Sequence, residues 1–323
     1  EEPPESRAER RRYVDGRDDV LLPSTSDNRA LSRNYGLGST FKVVVAAAYL
    51  RQPGKHITDR VAAPAELPMR GRREPVKNSP RGPCERGESG TITVADALAV
   101  SCNTAFVRLA MDMPWSLIRD TAADFGFRAV PADAERGPAW VAGTELGVDS
   151  RVPPESSDGD LANSVLGGGH VEGTPLHLAA VLGGIANGGR LVQPRLVDAT
   201  TRPDGGPRAE VVPEVRQVLS TAQAAELLAG LAGTVEFGTA EKLAKRPGHE
   251  VRVKTGTHDM HGGDDPPPGE FTRQIAWLVG SVTTARGPVS FAVAVETADE
   301  ARGAARARWL ADAVIDAIVE GRG

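Results

Sequence analysis

Apolar residues crowd nearly every side of the run Ser39-Thr40-Phe41-Lys42-Val43-Val44-Val45-Ala46-Ala47-Ala48-Tyr49-Leu50, which stops at Pro53-Gly54. A helix that is apolar all round is a buried one, so the pattern predicts a core helix carrying one lysine. Further on, Thr93 reads as an N-cap with Asp96 in the first turn, opening a helix that passes Leu98 and breaks near Ser101. Thr174-Pro175 starts another helix through Ile185, with proline at its first position and Gly188-Gly189 after its end. Ser220 and Gln223 form a capping-box pattern for a helix over 222–231. Then the period changes. Residues 251–253, 275–279 and 289–295 are β-type runs separated by Gly- and Pro-rich connections, and an amphipathic helix closes the chain over about 304–319. Arg12-Tyr13-Val14 and Val20-Leu21-Leu22 flank Asp15-Gly16 as a short hairpin, residues 64–90 read as a long irregular connection, and 115–165 as small helices and loops. Helices in the middle, strands late and a closing helix predict an α+β fold built on an antiparallel sheet. No internal repeat is visible.

Length changes the picture little: 323 residues allow one large domain with a subdomain, or two domains. Net charge is −5, so no global basic field attracts nucleic acid, which is excluded as a partner. No stretch reaches the roughly 18 apolar residues of a membrane-spanning helix, and residues 1–12 are too charged for a signal peptide. The chain as given is expected to be soluble, any export signal or anchor lying outside it. Only six of the 38 basic residues are lysines, while Ala, Gly, Pro and Arg abound, a bias that points to a GC-rich genome. Two cysteines, Cys84 and Cys102, permit one disulfide or two buried thiols.

Three short motifs carry chemistry: Ser39-Thr40-Phe41-Lys42, Ser101-Cys102-Asn103 and Lys254-Thr255-Gly256-Thr257. With 16 serines and six lysines, a serine three before a lysine should arise by chance about 0.3 times, so the first motif counts through its setting. A serine is a weak nucleophile until a base takes its proton, and Lys42 can be that base only if it is neutral. Burial among Val43, Val44 and Val45, and a second cation nearby, would depress its pKa. The third motif ends a strand-like run, where a lysine, two hydroxyls and a glycine can grip a carboxylate while the strand pairs with an extended peptide. Ser101 and Asn103 offer a hydroxyl for proton transfer and an amide for contact, or merely cap the helix after them. His258, His261, Asp264 and Asp265 could be metal ligands, but among Pro266, Pro267 and Pro268 they read as a solvated loop; no metal and no cofactor is expected.

The motifs and their surroundings resemble the transpeptidase domain of class B-like penicillin-binding proteins, over nearly the whole chain. The likeness includes Asn28-Arg29-Ala30, Thr174-Pro175-Leu176-His177, Ala186-Asn187-Gly188-Gly189, Gly238-Thr239-Ala240 and Ala276-Trp277-Leu278-Val279-Gly280. It implies a β-lactamase/transpeptidase-like fold as one domain over 1–323, with a sheet subdomain roughly over 1–35 and 235–323 and a helical one inserted roughly over 55–165. It implies a D,D-transpeptidase acting on peptidoglycan stem peptides through an acyl-serine and blocked by β-lactams. Ser39 would be the nucleophile, Lys42 its base and Ser101 the proton shuttle. Asn103, Lys254, Thr255, Gly256 and Thr257 would bind substrate, with the N–H groups of Ser39 and Thr257 as oxyanion hole. Work outside the cytoplasm, a membrane anchor outside this chain, and glycosyltransferase or divisome and elongasome partners reached through other regions follow from the same resemblance. So does an oxidising compartment that would favour a Cys84–Cys102 bridge, against which a buried Cys102 needs no partner.

Departures are equally legible. Tyr35-Gly36-Leu37-Gly38 stands where the family has Pro-Pro or Pro-Gly, which is expected to loosen the turn before Ser39, and Gly167-Gly168-Gly169 stands where it has Gly-Gln-Gly, removing a polar side chain. No pedestal is recognised ahead of the motifs, so an excised domain or a minimal member is expected. The alternatives are a β-lactamase or D,D-carboxypeptidase, a β-lactam sensor, and a peptide cyclase. No Glu-x-x-Leu-Asn pattern supports the first, since Glu145-Leu146-Gly147 does not supply one.

Overall fold

The computed structural model describes residues 28–321 except 85, 87–89, 132, 156, 202–205, 261–272 and 299. The hairpin predicted over 12–22 and the candidate ligands His261, Asp264 and Asp265 lie outside the described residues. The elements that position the site are β1 (Tyr35–Gly36), α1 (Lys42–Leu50), α2 (Val94–Ala99), α3 (Asn103–Met111), α4 (Trp115–Asp124), α5 (Asp158–Val165), β2 (Glu172–Gly173), α6 (Pro175–Ala186), α7 (Thr221–Glu236), β3 (Val251–Asp259), β4 (Gln274–Thr284), β5 (Gly287–Thr297) and α8 (Glu300–Val319). Among the described residues no helix is long and apolar enough to cross a membrane.

The α+β expectation holds: β3, β4 and β5 form an antiparallel sheet in that order, with Thr255 opposite Leu278 and Leu278 opposite Val293. Each strand runs well past the apolar segment that predicted it. The run 275–279 does not alternate because both faces of β4 are covered. Ile275, Trp277 and Val279 enter the core that contains α1 and α6, whereas Ala276, Leu278 and Val282 pack with Ala307, Ala311 and Ile315 of α8. The period of two along a strand makes this division, and it assigns each residue of β3 to one side as well.

Helix ends follow their caps. Thr93 Oγ1 accepts from Asp96 N at 3.0 Å, Thr174 Oγ1 from His177 N at 3.2 Å, and both bonds of the Ser220–Gln223 box form. Helix α7 outruns its predicted end at 231 because Gly233, Thr234 and Val235 continue the buried stripe. All nine residues of α1 are buried, as an all-round apolar helix requires. One expectation needs correction: the helix predicted from Ser39 begins as a 3-10 turn over Gly38–Phe41, and the α-helix starts at Lys42. Gly38 enters that turn at φ +52°, and Thr40 Oγ1 donates to Leu37 O at 2.7 Å, tightening it.

The Cys84–Cys102 disulfide forms, with Cα atoms 5.7 Å apart. It pins the long connection to the break between α2 and α3. Asn78 supports the same joint: its Oδ1 accepts from Thr104 N at 3.0 Å, and its Nδ2 donates to Gly82 O at 2.9 Å.

Candidate active site

Ser39 sits half-buried on the 3-10 turn, and Lys42 follows it at the first position of α1, fully buried. The Lys42 amine donates to Ser101 O at 2.7 Å and Asn103 Oδ1 at 2.6 Å, with Ser101 Oγ at 3.2 Å. Ser101 reaches this position at φ +58°, a region that costs a non-glycine residue on the order of 1–3 kcal/mol. That twist aims both its carbonyl and its hydroxyl at the same amine. Asn103 is fixed from behind, since its Nδ2 donates to Lys77 O at 2.9 Å. It is the first residue of α3 and makes no capping bond, so the reading of Ser101 and Asn103 as mere caps fails. Among the described residues no hydrogen bond joins Ser39 to Lys42.

Burial drives the Lys42 pKa well below the usual lysine range, and the charge of Lys254 lowers it further. An uncharged amine has two N–H groups and a lone pair. Its N–H groups satisfy the two carbonyl-type oxygens, leaving the lone pair to accept a hydroxyl proton. Lys254, also sealed from water, is pulled down to about 7 by desolvation. Its Nζ donates to Thr255 O at 2.9 Å.

Strand β3 divides the third motif between two faces. Lys254, Gly256 and His258 lie opposite Val279, Trp277 and Ile275, on the face of the α1 core. Thr255 and Thr257 lie opposite Leu278 and Ala276, on the face of α8. Lys254 is thus brought to Lys42 and turned away from the two hydroxyls with which it was grouped. Gly256 has a backbone reason to be glycine, because a Cβ there would stand 2.8 Å from Thr40 Cγ2 and 3.0 Å from Leu37 O. A Cβ on Gly38 would stand 2.2 Å from Thr257 O, so the turn before Ser39 and the end of the motif are in direct contact.

The turn is not loosened as expected. Gly38 N donates to Gly167 O at 3.0 Å, Trp277 Nε1 donates to Gly36 O at 2.9 Å, and β1 pairs with β2. His258 corrects a second reading. It is on β3 rather than in a solvated loop, its imidazole lies against Gly36, and it faces Gly168 in the Gly167-Gly168-Gly169 segment. Burial lowers its pKa. Thr239 escaped sequence reasoning as a site residue: its hydroxyl bonds that of Thr255 at 2.5 Å. The Gly238-Thr239-Ala240 stretch was the available signal, since Gly238 must be glycine to pass Ala99 O.

The sequence matches the family described as "Penicillin binding protein transpeptidase domain" over residues 4–316. The chain belongs to that family. It is 32% identical over 302 residues to the peptidoglycan D,D-transpeptidase PbpA of Mycobacterium tuberculosis, covering 91% of this chain and 57% of that protein. It is also 32% identical over 280 residues to PbpA of Mycolicibacterium smegmatis, covering 87% and 53%. The chain therefore spans little more than half the length of these curated relatives. Among solved structures it is similar to crystalline PBPA from M. tuberculosis, with TM-score 0.70 and 31% identity over 98% of this chain and 67% of that one. The imipenem acyl-enzyme complex of penicillin-binding protein A from the same organism matches with TM-score 0.70 and 29% identity over 97% and 67%.

Proposed function

We propose that this chain is a peptidoglycan D,D-transpeptidase domain that works through an acyl-serine at Ser39 and is trapped there by β-lactams. The observation that carries the reading is the buried Lys42 amine, held by Ser101 and Asn103 one turn after Ser39 with its pKa depressed. Neutral Lys42 takes the Ser39 proton as Oγ attacks the carbonyl carbon of the penultimate D-alanine. The N–H groups of Ser39 and Thr257 meet the developing oxyanion, which the contact between Gly38 and Thr257 supports. The proton then passes through Ser101 Oγ to the departing amine. Thr255 and Thr257 hold the terminal carboxylate, and the edge of β3 that no strand among the described residues covers pairs with the donor peptide. Lys254 holds its proton only part of the time near neutrality, and acts mainly by setting the field at Lys42.

The substrate assignment is supported by the mycobacterial relatives, which are peptidoglycan D,D-transpeptidases, and β-lactam trapping by the imipenem complex of the solved neighbour. An extracytoplasmic setting fits both, and fits the Cys84–Cys102 bridge. Membrane anchoring and assembly with a glycosyltransferase would rest on regions outside this chain.

Intact-protein mass spectrometry after adding penicillin tests the proposal. One adduct mapping to Ser39, lasting for hours and absent from Ser39→Ala, is expected. Labelling of another serine would overturn the site, and loss of the adduct within seconds would make the chain a β-lactamase.

A further inference from the structure

Behind Thr257 the chain gathers four glycines and one half-buried imidazole. Gly36 and Gly38 belong to the turn before Ser39, Gly167 and Gly168 to the segment packed on that turn, and none brings a side chain to the gap between the turn and β3. His258 fills the gap. A Cβ on Gly36 would stand 2.0 Å from His258 Cδ2 and 2.3 Å from its Nε2, and a Cβ on Gly168 would stand 3.4 Å from Cε1. We propose that His258 is a positioning residue for acylation: its neutral ring is the wedge that sets the Thr257 N–H beside the Ser39 N–H, and charging the ring withdraws the wedge. This rests on the transpeptidase reading above.

The walls of the gap are fixed. Trp277 Nε1 donates to Gly36 O at 2.9 Å, Gly36 pairs with Glu172 of β2, Gly38 N donates to Gly167 O at 3.0 Å, and Gly168 N donates to Asn163 O at 2.8 Å. Strand β3 is held less fully, because among the described residues it pairs only with β4 and forms an edge of the sheet. Its approach to the Ser39 turn is therefore set by what stands between them. Thr257 immediately precedes His258, and its carbonyl lies 2.2 Å from where a Gly38 Cβ would be. A ring pressed on Gly36 thus fixes the neighbouring peptide that donates to the oxyanion.

Charge decides when the wedge is in place. Burial lowers the pKa of His258, while Asp259 and Glu172 oppose that shift. Glu172 faces the ring from β2 and is already paired with Arg136 at 2.9 Å, and Asp259 follows on β3. From β1, Tyr35 precedes Gly36 and donates its hydroxyl to Glu296 at 2.8 Å. From β4 the opposite residue is Ile275, from α5 the neighbour is Asn163, which Arg72 binds, and Lys254 lies four residues back on the same face of β3. The ring nitrogens make no hydrogen bond among the described residues. An imidazolium carries two N–H donors and must hydrate them or turn them to Glu172 or Asp259, and either movement takes the ring out of the gap. Acid therefore acts twice, protonating the base Lys42 and displacing the wedge.

The test measures penicillin acylation of the whole chain across pH 5–9 for wild type, His258→Ala, His258→Gln and the double variant His258→Ala, Gly168→Gln. At pH 7.5 His258→Ala should lose about 30-fold in the maximal acylation rate, with the half-saturating penicillin concentration changed less than about threefold. His258→Gln, uncharged and of similar reach, should stay within about fivefold of wild type, and the double variant should recover to the same range, since a side chain from Gly168 enters the vacated gap. Below pH 6 the wild-type rate should fall with second-order dependence on protons and that of His258→Gln with first-order dependence. A wild-type rate for His258→Ala at pH 7.5, or acid limbs of equal steepness in wild type and His258→Gln, would overturn the proposal. Should His258→Ala fail to fold, the comparison of acid limbs decides alone. Failure of the transpeptidase reading would look different, since the wild type itself would then not be acylated at Ser39.

Discussion

Lys42 and Lys254 are both sealed from water, yet the fold asks different things of them. Lys42 spends its donors on Ser101 and Asn103, while Lys254 reaches only a backbone carbonyl of its own strand among the described residues. Replacing Lys42 by alanine should slow penicillin acylation by about 10³-fold or more, the scale of losing a general base. Lys254→Ala should instead move the acid limb of the acylation rate to higher pH, because removing the second cation relieves the repulsion that helps keep Lys42 neutral. Acylation rates of both variants across pH 5–10 would check the split, and coincident profiles would refute it. A stability consequence follows with opposite sign. Lys254 has a folded pKa of about 7 against an ordinary 10.5. Between those values the unfolded chain binds the proton and the folded chain does not, so stability falls by about 1.4 kcal/mol for each unit the pH drops, and levels off below 7. Lys254→Met should therefore melt higher than wild type at pH 6, with the gain shrinking above pH 9 in thermal melts across pH.

At the scale of elements, the edge of β3 and the turn before α1 act as one unit, held at glycines whose missing side chains differ in consequence. A Cβ on Gly38 would meet Thr257 O at 2.2 Å, and its φ of +52° disfavours any other residue. Gly38→Ala should pull apart the two N–H groups assigned to the oxyanion and slow acylation by about 10²- to 10³-fold. A Cβ on Gly168 would meet His258 Cε1 at 3.4 Å and Asn163 O at 3.5 Å, both ordinary contacts. Gly168→Ala should acylate within about threefold of wild type, and comparable losses in the two variants would contradict this division. The three motifs were legible because each is local: helix period placed Ser39 beside Lys42, and β-type residues placed Lys254 to Thr257 on a strand. The caps at Thr93, Thr174 and Ser220 were legible for the same reason. The contacts of His258 with Gly36, of Gly38 with Gly167, and of Thr239 with Thr255 join segments up to 222 residues apart, and no local pattern encodes them. Nor did motif grouping foresee that Lys254 faces away from Thr255 and Thr257. That followed only once β4 was covered on both sides and its register with β3 was fixed.

For the whole molecule, the disulfide is the covalent tie between the long connection and the catalytic joint. Cys84 and Cys102 enclose 18 residues of sequence separation, and cutting such a loop releases unfolded-chain entropy worth about 3 kcal/mol. With about 300 residues unfolding together, that loss corresponds to a melting temperature lower by about 5 °C. The fold should survive it, because Asn78 still bridges Thr104 and Gly82 across the same joint. The site should respond more than the fold. Cys102 lies between Ser101 and Asn103, and Ser101 is held at φ +58° against its own preference. Once the neighbouring Cβ is no longer tethered, Ser101 can relax toward ordinary backbone angles and take its carbonyl and hydroxyl away from Lys42. The Cys84→Ala, Cys102→Ala double variant should therefore melt about 5 °C lower and acylate with penicillin about tenfold more slowly at 25 °C, where it is still folded. The adduct should remain single and at Ser39. Calorimetry and acylation kinetics on the same preparation separate the two effects. A lowered melting temperature with an unaltered acylation rate would mean that the Asn78 clamp alone holds the Ser101 turn.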